Sequence, residues 1–266
     1  MGLIHHIDEL VSPPQRIVSL VPSLTESLAE LGAASRLVGV TTWCWYPAEV
    51  VAPLPKVGGT KNPNLARIRE LLPDLIVVNE EENRRADVEA LAVDFPCWVT
   101  FPKTASDNAG LIRDLGQVTA TAEKAAEFCA RIEALEAAVR ARVMARPSRS
   151  MAYLIWRDPW MTINGDTYIH DVLTFLNCTN PWVTHANRYP HLTSEDLIAA
   201  DPDRICLSSE PFPFTPTDIA LFEAAFPDLR AVREQQVFVA DGTYFCWYGT
   251  RWVRALAAFL EEPMLA

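Results

Sequence analysis

Three short segments of this 266-residue chain are crowded with aromatic side chains: Thr42-Trp43-Cys44-Trp45-Tyr46-Pro47, Trp156-Arg157-Asp158-Pro159-Trp160 and Tyr244-Phe245-Cys246-Trp247-Tyr248-Gly249. Each lies just after an apolar run that reads as a β-strand. One such cluster is equally well explained by core packing. Three at equivalent positions point to an aromatic-lined cleft that holds a large, flat or greasy ligand. Polar groups lie among them. The loop Gly58-Gly59-Thr60-Lys61-Asn62-Pro63-Asn64 offers Thr60 and Lys61 but lacks the glycine and lysine spacing of a phosphate-binding loop, so a nucleotide is not expected. Asn79-Glu80-Glu81-Glu82-Asn83 sets three carboxylates at a strand end, where they either cap the following helix or reach a ligand. Arg157 and Asp158 either pair with each other or form part of a polar ligand rim.

Catalytic signatures are absent. The chain has no G-x-S-x-G elbow, no H-E-x-x-H and no G-x-G-x-x-G after a strand. Its five histidines (His5, His6, His170, His185 and His191) show no metal-ligand spacing. No enzyme, no resident metal and no required cofactor are expected.

The elements that position these residues repeat. Ile68-Arg69-Glu70-Leu71-Leu72-Pro73-Asp74-Leu75-Ile76-Val77-Val78-Asn79-Glu80-Glu81 is echoed by Leu197-Ile198-Ala199-Ala200-Asp201-Pro202-Asp203-Arg204-Ile205-Cys206-Leu207-Ser208-Ser209-Glu210. Each stretch has a helix end, Pro-Asp, a buried strand and a carboxylate, Glu81 or Glu210, because proline stops a helix and the apolar run follows at once. Strands are expected at 16–21, 36–41, 75–78 and 97–100, then at 151–156, 204–207 and 236–240. Ser23 with Glu26 reads as a helix cap, and Gly32 as the end of that helix. Further helices are expected at 83–93, 168–176 and 247–260. Phe128, Ile132, Leu135 and Val139 fall on one face of a long helix. Alternating β and α elements imply parallel sheets covered on both faces. The fold class is therefore α/β: two Rossmann-like lobes with mostly parallel sheets, joined by one long α-helix, with a ligand cleft between them. The boundaries are 14–104 for the first lobe, 105–146 for the helical linker and 147–266 for the second lobe.

A formal net charge of -11 argues against the basic surface that nucleic-acid binding needs, so no nucleic-acid partner is expected. Six cysteines (Cys44, Cys97, Cys129, Cys178, Cys206 and Cys246) show no C-x-x-C pair and read mainly as small buried hydrophobes. Met1-Gly2-Leu3-Ile4-His5-His6-Ile7-Asp8 has neither a basic start nor an apolar core, so no leader peptide is expected in this sequence. No apolar run reaches the roughly 18 residues of a membrane span, so no membrane insertion is expected. The chain is expected to act as a monomer.

Four features together carry a family resemblance. They are Arg16-Ile17-Val18-Ser19-Leu20-Val21-Pro22-Ser23-Leu24-Thr25-Glu26, Val38-Gly39-Val40-Thr41 with Tyr46-Pro47, Asn64-Leu65-Ala66-Arg67-Ile68 leading to Leu72-Pro73-Asp74-Leu75-Ile76, and the long central helix. Over about residues 14–260 the chain resembles the cobalamin and iron-siderophore class of substrate-binding proteins for ABC importers, the helical-backbone metal receptors. The resemblance implies two lobes clasping a ligand, with Trp43, Tyr46, Trp160 and Tyr189 at ligand-facing aromatic positions. Trp156, Arg157 and Trp247 join them from the strand-end argument, and Thr60 from the glycine-bearing loop. It also implies docking on an ABC permease through one surface glutamate per lobe. Glu195 stands at the second-lobe position, whereas the first-lobe position holds Ala66, which puts symmetric docking in doubt.

The ligand expected is a bulky metal-containing cofactor such as cobalamin or another corrinoid. The alternative is a ferric siderophore or haem. Lys61, Arg157 and Arg188 are the cations available to grip an anionic chelate, and Tyr46 or His191 could ligate iron. The resemblance implies a periplasmic or extracytoplasmic location. A cytoplasmic carrier or sensor that no longer docks on a permease is the alternative favoured by Ala66 and the absent leader. An enzyme acting on a cofactor precursor would need an acid or base among Glu80, Glu81, Glu82, Asp158 and Asp241.

Overall fold

The computed structural model describes residues 2–10 and 12–261. They divide into two compact units. The first comprises the chain up to Pro102 with Ser106–Glu133 and Tyr248–Val253; the second comprises Lys103–Ala105, Ala134–Trp247 and the chain from Arg254.

The first unit is built on five parallel strands, β1 (Leu3–Ile4), β2 (Ile17–Ser19), β3 (Leu37–Val40), β4 (Leu75–Asn79) and β5 (Cys97–Thr100), in the order β1-β5-β4-β2-β3. Strands β2 and β4 are buried along their whole length, as a parallel sheet covered on both faces requires. The helices are α1 (Pro22–Leu28), α2 (Ala48–Val51), α3 (Leu65–Glu70), α4 (Arg85–Ala92), α5 (Asp107–Val118) and α6 (Ala122–Met144), the last shared with the second unit. Val18, Leu20, Ile68, Ile76, Val78 and Leu91 form the core beneath them.

The second unit has strands β6 (Arg149–Leu154), β7 (Trp160–Met161), β8 (Cys178–Thr179), β9 (His191–Leu192), β10 (Arg204–Ser208) and β11 (Val237–Ala240). Four of them make a parallel sheet in the order β11-β10-β6-β8, and β7 pairs antiparallel with β9. Helices α7 (Tyr168–Phe175), α8 (Ser194–Ala200), α9 (Pro216–Ala225), α10 (Arg230–Arg233), α11 (Thr243–Cys246) and α12 (Arg251–Glu261) complete the chain, with the first turn of α12 belonging to the first unit.

The repeated Pro-Asp has a structural cause. Asp74 accepts the backbone N–H groups of Gln15 (2.7 Å) and Arg16 (2.8 Å), just before β2. Asp203 accepts the N–H (2.8 Å) and hydroxyl (2.9 Å) of Ser150 in β6. In each unit the proline ends a helix, and the aspartate pins the start of the neighbouring strand.

Three local expectations are corrected. Ser23 does not cap α1: Val21 is the cap residue and Pro22 takes the first helical position, where its fixed φ fits and its missing N–H costs nothing. Gly32 does end this helical stretch, with φ of 95°. The helix expected at 83–93 begins at Arg85, because the Asn83 side chain is engaged in the preceding turn. Residues 247–260 are not one helix: α11 stops at Cys246 and α12 starts at Arg251, separated by a turn in which Gly249 has φ of 80°.

Candidate functional site

The segment after β3 is a turn pinned at one residue. Cys44 turns inward, with its thiol 3.2 Å from the hydroxyls of both Thr25 and Thr41. The aromatic residues on either side of it are open: Trp43 is 53%, Trp45 49% and Tyr46 44% exposed. The two indoles meet edge to face at 5.9 Å. Trp43 lies against the glycine loop, where a Cβ at Gly59 would stand 3.3 Å from the indole Nε1 and would collide with the Asn62 side chain. The second face of this shelf is fixed from below. The Arg251 guanidinium sits 4.5 Å from the centroid of the Tyr46 ring, and its Nε donates to buried Glu26 at 2.8 Å.

Two buried asparagines organise the adjoining loops. Asn79 Oδ1 accepts the N–H groups of Glu81 (2.8 Å) and Glu82 (3.1 Å), while the Asn79 N–H donates to Asn83 Oδ1 (2.8 Å). Asn83 Nδ2 donates to the carbonyls of Leu20 (3.2 Å) and Thr60 (3.0 Å). One side chain thus ties together the loops that follow β2 and β4 and the glycine loop carrying Thr60. The three carboxylates at 80–82 precede α4 and do not lie in its first turn, so the capping reading is not what the structure shows. Glu82 accepts the Tyr248 hydroxyl at 2.7 Å. Lys61 donates its ammonium to the Glu81 carbonyl.

In the second unit the aromatic residues take two roles. Trp156 is 40% exposed and packs edge-on against Phe212 at 5.3 Å. Tyr189 is partly open, with the Arg188 guanidinium 6.0 Å from its ring centroid. Trp160 instead packs into the phenylalanine core, stacked on Phe214 at 6.3 Å and edge-on to Phe222 at 5.3 Å. Trp247 is only 7% exposed, and its indole N–H donates to Glu210 Oε2 at 3.0 Å. Arg157 does not take Asp158 as its main partner: it pairs with Asp218 at 2.8 Å, Asp158 being 3.9 Å away, and covers the Phe212 ring at 5.2 Å. Burial pushes the Asp218 carboxyl upward, but hydrogen bonds from Thr215 and the charge of Arg157 outweigh it and hold it below the usual carboxylate value. His191 is exposed in β9.

The surface positions Ala66 and Glu195 are structural equivalents. Each is exposed and is the second residue of its helix, α3 or α8. Each helix is capped in the same way, by Asn64 accepting from the Arg67 N–H and by Thr193 accepting from the Asp196 N–H. Only the second unit presents a carboxylate there.

Among the described residues, no group of three or more His, Cys, Asp or Glu could hold a metal ion, and no helix is long and apolar enough to cross a membrane. The first unit therefore offers a fixed aromatic shelf with hydrogen-bonding loops beside it, suited to stacking. Trp45, Asn83, Arg251 and Tyr248 belong to this site but escape the sequence argument. Trp45 carried a signal, since it alternates with Trp43 about an inward Cys44. Tyr248 lay in the third aromatic cluster, but its partner, like those of Asn83 and Arg251, is remote in the chain.

Comparison with known proteins gives a consistent picture. The sequence model of the family described as "Periplasmic binding protein" matches residues 17–244. A vitamin B12-binding protein of Vibrio campbellii is 29% identical over 196 residues, covering 72% of this chain and 70% of that protein. Among solved structures, the periplasmic vitamin B12-binding protein BtuF of Vibrio cholerae superposes with a TM-score of 0.84 at 22% identity, covering 94% of this chain and 96% of that one. The periplasmic heme-binding protein RhuT of Roseiflexus sp. RS-1 superposes with a TM-score of 0.80 at 24% identity, covering 93% and 98%. These structural likenesses establish the two-sheet, mostly parallel α/β fold.

Proposed function

The chain belongs to the periplasmic binding protein family, and on that premise we propose that it holds a bulky corrinoid for ABC-type import. The observation that carries this reading is the exposed, backed shelf of Trp43, Trp45 and Tyr46. A corrin ring is broad, partly apolar and carries amide side chains, so it suits stacked aromatics flanked by loop hydrogen-bond partners such as those near Thr60. Within the second unit, Trp156 and Tyr189 are exposed and Arg157 is half-buried, so these three are the side chains there that could meet a ligand, whereas Trp160 and Trp247 are packed. Vitamin B12 binding by the Vibrio relatives supports the same ligand class.

Of the three cations, Arg157 is neutralised by Asp218, and Lys61 is directed onto a backbone carbonyl. That arrangement favours a ligand of low net charge over a strongly anionic ferric siderophore. Haem is the second reading, supported by the heme-binding RhuT likeness and by the open Tyr46 ring. Docking on a permease would use Glu195 without a counterpart at Ala66, giving a one-sided contact. A cytoplasmic carrier would keep the same shelf and dispense with Glu195.

The test is calorimetric titration with cobalamin, cobinamide, haem and a ferric siderophore, with tryptophan fluorescence followed in parallel. Saturable corrinoid binding with quenching supports the proposal. Binding of haem alone would replace the corrinoid by the second reading, and binding of none of the four would overturn both.

A further inference from the structure

A cavity of about 240 Å³ in the second unit lies at the amino ends of its sheet strands. Its position follows from the strands: Arg149 is the first residue of β6 and Arg204 the first of β10, whereas the ligand-facing segments follow the carboxyl ends of strands. Arg146, Arg149 and Arg204 all line it, together with Leu176, Asn177 and Cys178. None of the described lining residues is a carboxylate. In a chain of net charge -11, three guanidinium groups around one small cavity form a local field of opposite sign.

The cavity is half open, with Arg149 exposed and Leu176, Cys178 and Arg204 buried among its lining residues. Arg204 is 6% exposed, and Nη1 of Arg146 is buried without a hydrogen-bond acceptor. Neither Arg146 nor Arg149 forms an ion pair with a described residue. Asp203, whose charge acts on Arg204, is shared with other partners. Asp203 is held by Ser150 and by Arg230 at 2.6 Å. At the end of α6 the carbonyls of Val143 and Arg146 accept from Asn177 Nδ2 at 3.3 and 3.1 Å. Burial and the charges of Arg149 and Arg146 together push the Arg204 guanidinium below its usual value, a cost that a bound anion would remove.

We propose that this cavity is a binding site for a phosphate group, gripped by Arg146, Arg149 and Arg204. Planar guanidinium forks match tetrahedral phosphate oxygens in a bidentate manner, and a phosphate dianion would offset most of three positive charges. The cavity volume admits a phosphate with a small substituent, so the source is either a free phosphate or phosphate ester, or the headgroup of a phospholipid. The cavity shares no residue with the aromatic shelf, and the proposal does not depend on what binds there.

The test uses the whole chain in low-salt, phosphate-free buffer. Inorganic phosphate and glycerol 3-phosphate are titrated by calorimetry and ³¹P line broadening, and vesicles of phosphatidylcholine with phosphatidic acid are assayed by flotation. Arg146→Gln and Arg149→Gln remove partly or fully open guanidiniums and spare the buried Arg204, so both variants are expected to fold, as checked by circular dichroism. Saturable binding by the parent, weakened about tenfold or more in each variant, is expected from the loss of a charge-assisted pair. Response to the soluble phosphates identifies the free source; response to vesicles alone identifies the lipid headgroup. Absence of binding to all three probes, or affinities unchanged in both variants, would overturn the proposal.

Discussion

Arg251 joins Glu26 to Tyr46: its Nε donates to the Glu26 carboxylate at 2.8 Å, while its guanidinium lies 4.5 Å from the centroid of the Tyr46 ring. The ion pair is almost wholly buried, with side-chain exposures of 6% and 2%. The open aromatic face therefore rests on a charge that is itself locked in the core. Breaking such a pair leaves an uncompensated charge, so Arg251→Met is expected to destabilise the first unit by about 3–5 kcal/mol in urea unfolding. A double variant with Glu26→Leu should recover part of that loss.

Stacking on the shelf predicts a different pattern for the aromatic residues. Trp43→Ala and Tyr46→Ala should weaken corrinoid binding by about tenfold to a hundredfold, in the range of aromatic anchors. Because both rings are open to solvent, unfolding midpoints should barely move. A large stability loss with unchanged affinity would assign these rings to packing.

Asn83 should combine both effects. Asn83→Leu orphans the carbonyls of Leu20 and Thr60 and the N–H of Asn79. Each buried group left unsatisfied costs about 1–3 kcal/mol. The glycine loop should loosen as well, so ligand affinity falls although Asn83 need not touch the ligand. Amide exchange at residues 58–62 would report the loosening directly.

Acid should act through Asp218. Its carboxyl is below the usual value when folded, so the stability it contributes is complete above the ordinary carboxylate pKa of about 4 and is lost as pH falls through the lower folded value. Asp218→Asn should be less stable than the parent at neutral pH, and the difference should shrink as the solution is acidified below about pH 4. A difference that grows on acidification would contradict the assignment.

Thiol chemistry offers a check on packing. All six cysteines are free, four of them buried. Burial pushes Cys97 up to about 12 and Cys178 up to about 11. At pH 8 an alkylating reagent should therefore modify Cys129 and Cys246 first and reach Cys97 and Cys178 only when the chain is unfolded. Peptide mapping by mass spectrometry separates the two classes.

The sequence reveals what is local and periodic. Strands such as Leu75–Asn79 are continuous apolar runs because they are buried on both faces, and Pro73-Asp74 and Pro202-Asp203 mark equivalent joints because each aspartate has the same task. The two-residue edge strand β1 leaves no such trace. Ser23 and Glu26 have the spacing of a helix cap, yet Glu26 faces Arg251, 225 residues away. Asn83 likewise meets Leu20 across 63 positions. Trp160 and Trp247 lie in segments that read like Trp43's, and only three-dimensional packing separates these packed indoles from the open ones.

Residues Tyr248–Val253 belong to the unit whose sheet is translated first. Thr250 and Gly249 donate their N–H groups to Ser27 and Asn108, and Arg251 neutralises Glu26. During synthesis the packing around Glu26 therefore stays incomplete until the whole of the second sheet has been made, because its counter-charge comes after that sheet in the chain.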